Sequence, residues 1–248
     1  GYDGAAPVRV GNGAYTQFQG DVFGEVMIAL QAARDVKAPH ETDFSWPVQR
    51  ALMSYVEEHW QREDNGIWEI RGPKRHFTHS RVMLWAAVDC AIRAVREHGL
   101  DGPVEQWEHL RDEIRDEIES RGFDAERNTY TQYYGGAGVD ASLLQLAQVG
   151  YLAPDDPRML GTVAAIEEEL LQDGLLLRYR TESGVDGLPA GEHPFLACSF
   201  WLVEQYARSG RLADAQTLMD RLLSFSNDVG LLSEEYDVQG ARHAGNTP

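Results

Sequence analysis

Apolar residues recur along most of this sequence at the three- and four-residue spacing that gives an α-helix one buried face. The spacing predicts eight helices, over residues 15–35, 46–62, 77–98, 104–121, 139–149, 156–172, 194–209 and 212–227. Segments of strand-like composition, such as "GLLLRYR", are short and isolated. Because the helical period dominates, the sequence predicts an all-α protein.

The links between these helices alternate in length. Short links such as "GLDGP" and "GR" join the helices in consecutive pairs, whereas long segments follow the second, fourth, sixth and eighth helices. Tightly linked helices run antiparallel, so the long segments and the opening "GYDGAAPVRVGNG" should lie at one end of the molecule. These segments are rich in Trp, Tyr and Arg, which favours a functional site over loops that merely tolerate insertions.

Four consecutive helical hairpins predict either an open solenoid or a closed α/α toroid. No residue-level repeat is evident, which disfavours the common solenoids. We therefore expect an (α/α)6 toroid of helical hairpins. The chain starts at Gly1 and stops in the polar "GNTP", so both ends look like cuts and the ring is expected to be incomplete.

Composition and charge limit the classes of partner that this protein can bind. The formal net charge of −18 argues against nucleic acid, whose phosphates require clustered Lys and Arg. No apolar run reaches the roughly 18 residues of a membrane span, and no signal peptide is visible, so we expect a cytoplasmic protein. Cys90 and Cys198 lie in apolar helical runs, which predicts two buried free thiols. Nothing indicates a cofactor, and the oligomeric state stays open.

Three glutamates in the long segments have apolar or aromatic neighbours: Glu69 in "GIWEIRG", and Glu234 and Glu235 in "LLSEEYD". Glycosidic cleavage needs two carboxyl groups in different environments, one protonated to donate to the leaving oxygen and one ionised to activate water. Aromatic rings suit sugar C–H faces. Taken alone the pattern is weak, because most glutamates of an acidic protein are simply solvated.

Other chemistries have less support. The "H-x-x-H" of His76 and His79 could suggest a metal, but no HExxH occurs. We expect His76 to be a polar residue at a helix start and His79 to be packed and hydrogen-bonded. The Gly-rich turns lack the Lys and strand context of a phosphate loop, and no GxSxG nucleophile motif is present.

The segment "GIWEIRG…HFTHSRVMLWAAVDCAI" closely resembles the acid-bearing segment of glycoside hydrolase family 15, the glucoamylases and bacterial trehalase-like enzymes. "LLSEEYD" resembles the family's base-bearing "SEQYD". The opening "GYDGAAPVRVGN" and "RYR…HPFLACSFWLVEQYA" are also similar, so the resemblance covers essentially the whole chain. It implies an (α/α)6 toroid and an inverting mechanism, with a water between carboxyl groups about 6.5–9.5 Å apart.

Position by position, the resemblance implies that Glu69 is the general acid and Glu234 the general base. Arg178 matches a family arginine that binds the non-reducing glucosyl unit, with Tyr179 beside it. Trp68 would help to form the pocket wall. The resemblance thus supplies two catalytic and three substrate-binding residues, with an α-glucoside (an oligosaccharide or trehalose) as the substrate.

Two departures from the family pattern matter. Fungal glucoamylases carry a second glutamate where this sequence has Ile70. The departure favours a preference for trehalose or another small α-glucoside over starch. The family's early Trp–Arg–Asp segment has no counterpart here. Residues 1–248 would then be part of one catalytic domain, without the family's N-terminal β-sandwich or its first and last helices. We expect this piece alone to be inactive.

The resulting prediction is a glycoside hydrolase that releases terminal α-linked glucose with inversion. An (α/α)6 disaccharide phosphorylase would need a basic phosphate pocket where "LLSEEYD" is acidic, and lyases share the same toroid. A non-catalytic carbohydrate-binding or helical interaction module would keep the aromatic residues without needing both glutamates. A plain helical scaffold with solvated glutamates ranks last.

Overall fold

The computed structural model describes residues 11–37, 45–180 and 193–246. These ranges contain eight α-helices: α1 (Asp21–Asp35), α2 (Ser45–His59), α3 (Thr78–His98), α4 (Val104–Arg121), α5 (Gln145–Gln148), α6 (Pro157–Leu170), α7 (Leu196–Arg208) and α8 (Leu212–Leu223). Three antiparallel two-stranded ladders join β1 (Phe123–Asp124) to β2 (Thr129–Tyr130), β3 (Leu171–Gln172) to β4 (Leu175–Leu176), and β5 (Glu235–Asp237) to β6 (Arg242–Ala244). The all-α prediction is confirmed.

The odd-numbered helices contact one another in sequence along the chain. Helix α3 packs against α1 and α4, α7 packs against α8, and α5 lies between α3 and α7. Helix α3 is buried on almost every side, as expected for a helix enclosed by other helices. At the α1–α3 crossing, a Cβ on Gly24 would lie 2.4 Å from the Met83 carbonyl oxygen, so only glycine fits there.

The long segments meet at one end of the molecule, as the alternating link lengths predict. Backbone contacts join each segment to the next: Phe77 with Tyr133, Ala141 with Arg178, and Phe195 with Glu235. The segment before α1 joins them, because the Asn65 amide donates to the Phe18 carbonyl at 3.0 Å. Residues 1–10 and 181–192, which we also expect at this end, lie outside the described residues.

Two predicted helices differ from the observed ones. The first helix begins at Asp21 rather than residue 15, because Asn12 caps a separate 3-10 turn over Gly13–Thr16 and Gln17 is extended. The predicted helix over 139–149 is a 3-10 turn, Ala141–Leu144, followed by the four-residue α5. Other helix ends shift by up to four residues; α6 ends where β3 begins, and α7 starts after the bridge of Phe195 with Glu235.

Two further expectations concern the cysteines and membrane-spanning helices. Cys90 and Cys198 are buried free thiols, as predicted. None of the helices in the three described ranges is long and apolar enough to cross a membrane.

Candidate active site

Glu69 lies in the segment between α2 and α3, on a backbone that few side chains adopt. Its φ is +54°, in the left-handed region, and Gly66 three residues earlier has a φ of +66°. The Glu69 amide donates to the Gly66 carbonyl at 3.2 Å, and the Ile70 amide donates to the Asn65 carbonyl at 3.0 Å. A left-handed conformation costs a non-glycine residue on the order of 1–2 kcal/mol, so the surrounding contacts must hold it.

The apolar residues of "GIWEIRG" supply those contacts. Ile70 is only 1% exposed and packs with Phe77 and Tyr179 in a small core directly beneath the loop. On the other side of Glu69, the Trp68 ring meets Trp201 with centroids 5.9 Å apart. The loop is therefore held from below by Ile70 and from the side by Trp68, which leaves the glutamate between them facing a cavity.

A buried carboxylate fixes the indole of Trp68. Trp68 Nε1 donates to Asp140 Oδ2 at 2.8 Å, and the Ser142 hydroxyl donates to Asp140 Oδ1 at 2.7 Å. Burial raises the pKa of Asp140 above its ordinary value. Asp140 is 72 residues away from Trp68 in the sequence, and no local pattern singles it out.

Glu234 comes immediately before β5, and its backbone joins two elements. The Leu196 amide at the start of α7 donates to the Glu234 carbonyl at 3.0 Å, and the Glu234 amide donates to the Asn246 carbonyl at 2.6 Å. The Glu234 carboxylate oxygen Oε2 accepts from the Asn246 backbone amide at 3.1 Å and from Asn246 Nδ2 at 3.0 Å. Both the backbone and the side chain of this glutamate are thus held by one asparagine.

The two glutamates line one cavity of about 420 Å³. Its lining residues are Asn12, Ile67, Trp68, Glu69, Arg178, Phe195, Trp201 and Glu234. The cavity brings together four of the five predicted site residues. Tyr179 is the exception, because its side chain is 3% exposed and lies behind the wall, 6.2 Å from the Trp68 ring between centroids.

Arg178 is oriented by an acidic and an aromatic neighbour. Its guanidinium lies 3.5 Å from Glu235 Oε1 and 5.1 Å from the Phe195 ring centroid. Glu234 lines the cavity while Glu235 contacts the arginine, so the adjacent glutamates have different surroundings. Alternating side-chain directions along extended backbone explain the separation.

His79 is not exposed to the cavity. Its Nε2 lies 3.0 Å from the Gln145 side-chain oxygen, and burial lowers the pKa of the ring, so it is neutral at physiological pH. The prediction of a packed, hydrogen-bonded histidine is confirmed. His76 lies just before α3 and stacks on Tyr134 with centroids 5.7 Å apart.

Sequence reasoning missed three residues at the site: Asn12, Asp140 and Trp201. Asn12 belongs to the quoted opening "GYDGAAPVRVGN", where a Gly-Asn pair resembles an ordinary turn. Trp201 lies in an apolar helical run, and the run alone predicts a core position. Only the tertiary structure distinguishes them, because Asn12 and Trp201 line the cavity and Asp140 binds its wall residue Trp68.

Comparison with known proteins identifies the family and several relatives of this chain. The model of "Glycosyl hydrolases family 15" matches residues 1–213. Trehalase from Mycobacterium tuberculosis is 42% identical over 250 residues, covering 100% of this chain and 36% of the relative. Trehalase from Thermoplasma volcanium is 37% identical over 249 residues, covering 100% of this chain and 39% of the relative. The chain thus spans well under half the length of these two relatives.

Solved structures share the fold. A wild-type glycosidase superposes with a TM-score of 0.76 at 19% identity, over 92% of this chain and 59% of the other. Glucoamylase from Saccharomycopsis fibuligera superposes with a TM-score of 0.71 at 11% identity, over 92% of this chain and 66% of the other. The helical hairpins are therefore those of the (α/α)6 toroid, and the chain belongs to glycoside hydrolase family 15.

Proposed function

We propose that the full-length protein hydrolyses α,α-trehalose, or a similarly small α-glucoside, with inversion at the anomeric carbon. The main support is the shared cavity, where Glu69 and Glu234 line one volume of about 420 Å³ together with Arg178. The curated relatives quoted above, at 37% and 42% identity over the whole chain, bear the name trehalase.

In the proposed reaction, Glu69 is protonated at the start and donates its proton to the glycosidic oxygen as the C1–O bond breaks. Glu234 is ionised and takes a proton from a water molecule, whose oxygen forms the new bond to C1 from the opposite face. The sugar released from the attacked side has the opposite anomeric configuration. Solvent exchange then returns a proton to Glu69 and removes one from Glu234.

The remaining cavity residues suit a glucosyl unit. Arg178 provides several N–H donors for sugar hydroxyls, while its contact with Glu235 fixes its direction. The rings of Trp68 and Trp201 offer apolar faces for the C–H groups of the sugar. In this proposal Tyr179 supports Trp68 from behind and does not contact the sugar directly.

Ile70 bears on the choice of substrate. Where fungal glucoamylases carry a second glutamate for the leaving sugar, this side chain is apolar and is buried beneath the loop. No carboxylate at that position contacts a leaving glucosyl unit. We therefore propose a short substrate rather than starch.

The test is a substrate panel on the full-length protein, with trehalose, maltose, isomaltose and starch, followed by early-time proton NMR of the glucose anomers. Inversion of trehalose releases one β-glucose from the attacked unit and one α-glucose from the leaving unit, whereas retention releases only α-glucose. Trehalose should give the highest kcat/KM. Glu69→Gln should abolish release, and Glu58→Gln, which changes an exposed glutamate of α2 outside the cavity, should not.

Other outcomes of the same panel favour the alternatives. Glucose 1-phosphate formed only with inorganic phosphate would indicate a phosphorylase. Tight sugar binding without turnover would indicate a carbohydrate-binding module. A cytoplasmic location, the lack of a cofactor and of nucleic-acid or membrane partners, the inactivity of the 248-residue piece, and the assignment of residues 1–248 to one catalytic domain stay predictions from the sequence.

A further inference from the structure

A side-chain amide touches the carboxylate that we propose as the acid. Asn12 Nδ2 donates to Glu69 Oε2 at 2.7 Å, across 57 residues of sequence. Asn12 is also the N-cap of the 3-10 turn, because its Oδ1 accepts from the Ala14 amide at 3.0 Å. One small side chain thus joins the start of the described chain to the acid loop.

The cap fixes which way the Asn12 amide faces. A backbone N–H only donates, so the atom that meets Ala14 must be the amide oxygen. The NH2 group must then face Glu69, and an amide NH2 only donates. Glu69 Oε2 is therefore a hydrogen-bond acceptor for as long as the turn is capped.

The segment that carries Asn12 is itself tied to the acid loop. Gln17 Nε2 donates to the carbonyl oxygens of both Glu69 and Ile70, at 3.2 Å each. The Asn65 backbone amide donates to the Phe18 carbonyl at 3.0 Å. These bonds hold the turn in register with the loop, so the Asn12–Glu69 contact joins two segments that are already fastened together.

We propose that Asn12 is a positioning residue that assigns the catalytic proton to Glu69 Oε1. When Glu69 is protonated, the oxygen that accepts from Asn12 is the carbonyl oxygen, because a carboxylic hydroxyl is the weaker acceptor. The proton is then on the other oxygen, from which it passes to the glycosidic oxygen. The inference rests on the proposed function, since it concerns the same acid.

Asn12→Asp tests the donor in isolation. An aspartate still accepts from the Ala14 amide, but it turns a second carboxylate oxygen toward Glu69 in place of the NH2 group. Like charges at this distance favour the protonated form of the pair. We expect the basic limb of the kcat/KM profile against pH to move upward by about one pH unit or more.

Asn12→Ser provides a second variant. Serine keeps the cap but is too short to reach Glu69, so we expect kcat to fall about tenfold with a smaller change in KM, while the melting temperature stays near the wild-type value. Asn227→Asp is the matched control, because Asn227 is an exposed turn residue whose Oδ1 also accepts backbone amides, away from the cavity. It should leave both the profile and kcat unchanged.

The inference and the proposed function fail in different ways. Normal turnover by Glu69→Gln would refute the proposed function itself. If Glu69→Gln is inactive but Asn12→Asp follows the wild-type pH profile, only the role of Asn12 is overturned. A large fall in the melting temperature of Asn12→Ser that accompanies its loss of kcat would also overturn the role of Asn12. The asparagine would then be only structural.

Discussion

The acid loop (residues 60–77) and the base hairpin (residues 232–246) hold their glutamates by different means. In the acid loop, Glu69 adopts a left-handed backbone that is fastened by a buried core under Ile70. In the base hairpin, Glu234 is held by hydrogen bonds to Asn246 and by the β5–β6 ladder, with no strained backbone at the glutamate. Both carboxylates accept a hydrogen bond from an asparagine, but the backbone of the acid loop rests on an apolar core and that of the base hairpin on a hydrogen-bonded ladder.

The difference has consequences for what each loop tolerates. A residue held by packing depends on apolar volume, so the acid loop should be sensitive to truncation of its core. A residue held by hydrogen bonds depends on donors and acceptors, so the base hairpin should be sensitive to changes in charge and amide chemistry. The following predictions test this contrast, beginning with the largest expected effect.

Steady-state kinetics should distinguish the roles of the two adjacent glutamates, Glu234 and Glu235. Glu234→Gln should lower kcat about 10³-fold or more in the full-length protein, because water activation is lost. Glu235→Gln leaves that step intact but removes the charge beside Arg178, so we expect chiefly an increase in KM of about tenfold, from weaker sugar binding. Steady-state kinetics on trehalose distinguishes them, and a larger kcat loss for Glu235→Gln would reverse the assignment.

Truncation of Ile70 should destabilise the acid loop. Ile70→Ala removes fully buried volume between Phe77 and Tyr179, and we expect the free energy of unfolding to fall by about 2–4 kcal/mol in urea titrations. The matched change in the base hairpin is Val238→Ala, at a side chain that is only partly buried, which should cost about 1 kcal/mol or less. Equal losses would show that packing does not distinguish the two regions.

Two aspartates should give the two regions opposite pH dependence. Asp64, at the start of the acid loop, accepts from the Gly20 amide at 2.8 Å and is 2% exposed. Burial, with a smaller contribution from Asp21, raises its pKa to about 6 from an ordinary 3.8. The Gly240 amide, followed by Arg242, instead holds the pKa of Asp237 in the base hairpin below its ordinary value.

The signs follow from proton binding. Between pH 4 and pH 6 the folded state holds the Asp64 proton and the unfolded state does not, so wild-type stability falls as pH rises through this range. The free energy of unfolding of Asp64→Asn, relative to that of the wild type, should therefore rise by up to about 3 kcal/mol between pH 4 and pH 7. Asp237→Asn should show the opposite trend, because its stabilising charge is present above its unfolded pKa and is lost in acid. Urea titrations at four pH values measure both differences, and parallel curves would contradict the contrast.

The smallest effect concerns backbone strain. Glycine adopts the left-handed region freely, so Glu69→Gly should be more stable than Glu69→Ala by about 1 kcal/mol. At Glu234 the backbone is not left-handed, so Glu234→Gly should be less stable than Glu234→Ala by a similar amount. Thermal unfolding of the four inactive variants measures this. The same order at both positions would show that Glu69 is not strained.

Much of the fold could be predicted because helical periodicity is local. The bounds of α4 match the prediction, and those of α2 and α3 differ from it by at most three residues. The predicted helix over 139–149 is observed only over 141–148, half of it as a 3-10 turn, and it starts late because Asp140 is extended and binds Trp68 from a distant loop. Periodicity carries no information about such a contact. Likewise, Arg178 lines the cavity, whereas the adjacent Tyr179 is buried and packs with Ile70 and Phe77.

The sequence by itself determined the helical hairpins, the loop-rich end and the two glutamate motifs, because spacing, link length and residue identity are properties of short segments. Only the tertiary structure decided that Glu69 is left-handed over a buried isoleucine, that Asn12 reaches it across 57 residues, and that Glu235 contacts Arg178. These features depend on how separate loops meet in space. That meeting is set by the packing of the helices beneath them, and no short stretch of residues specifies it.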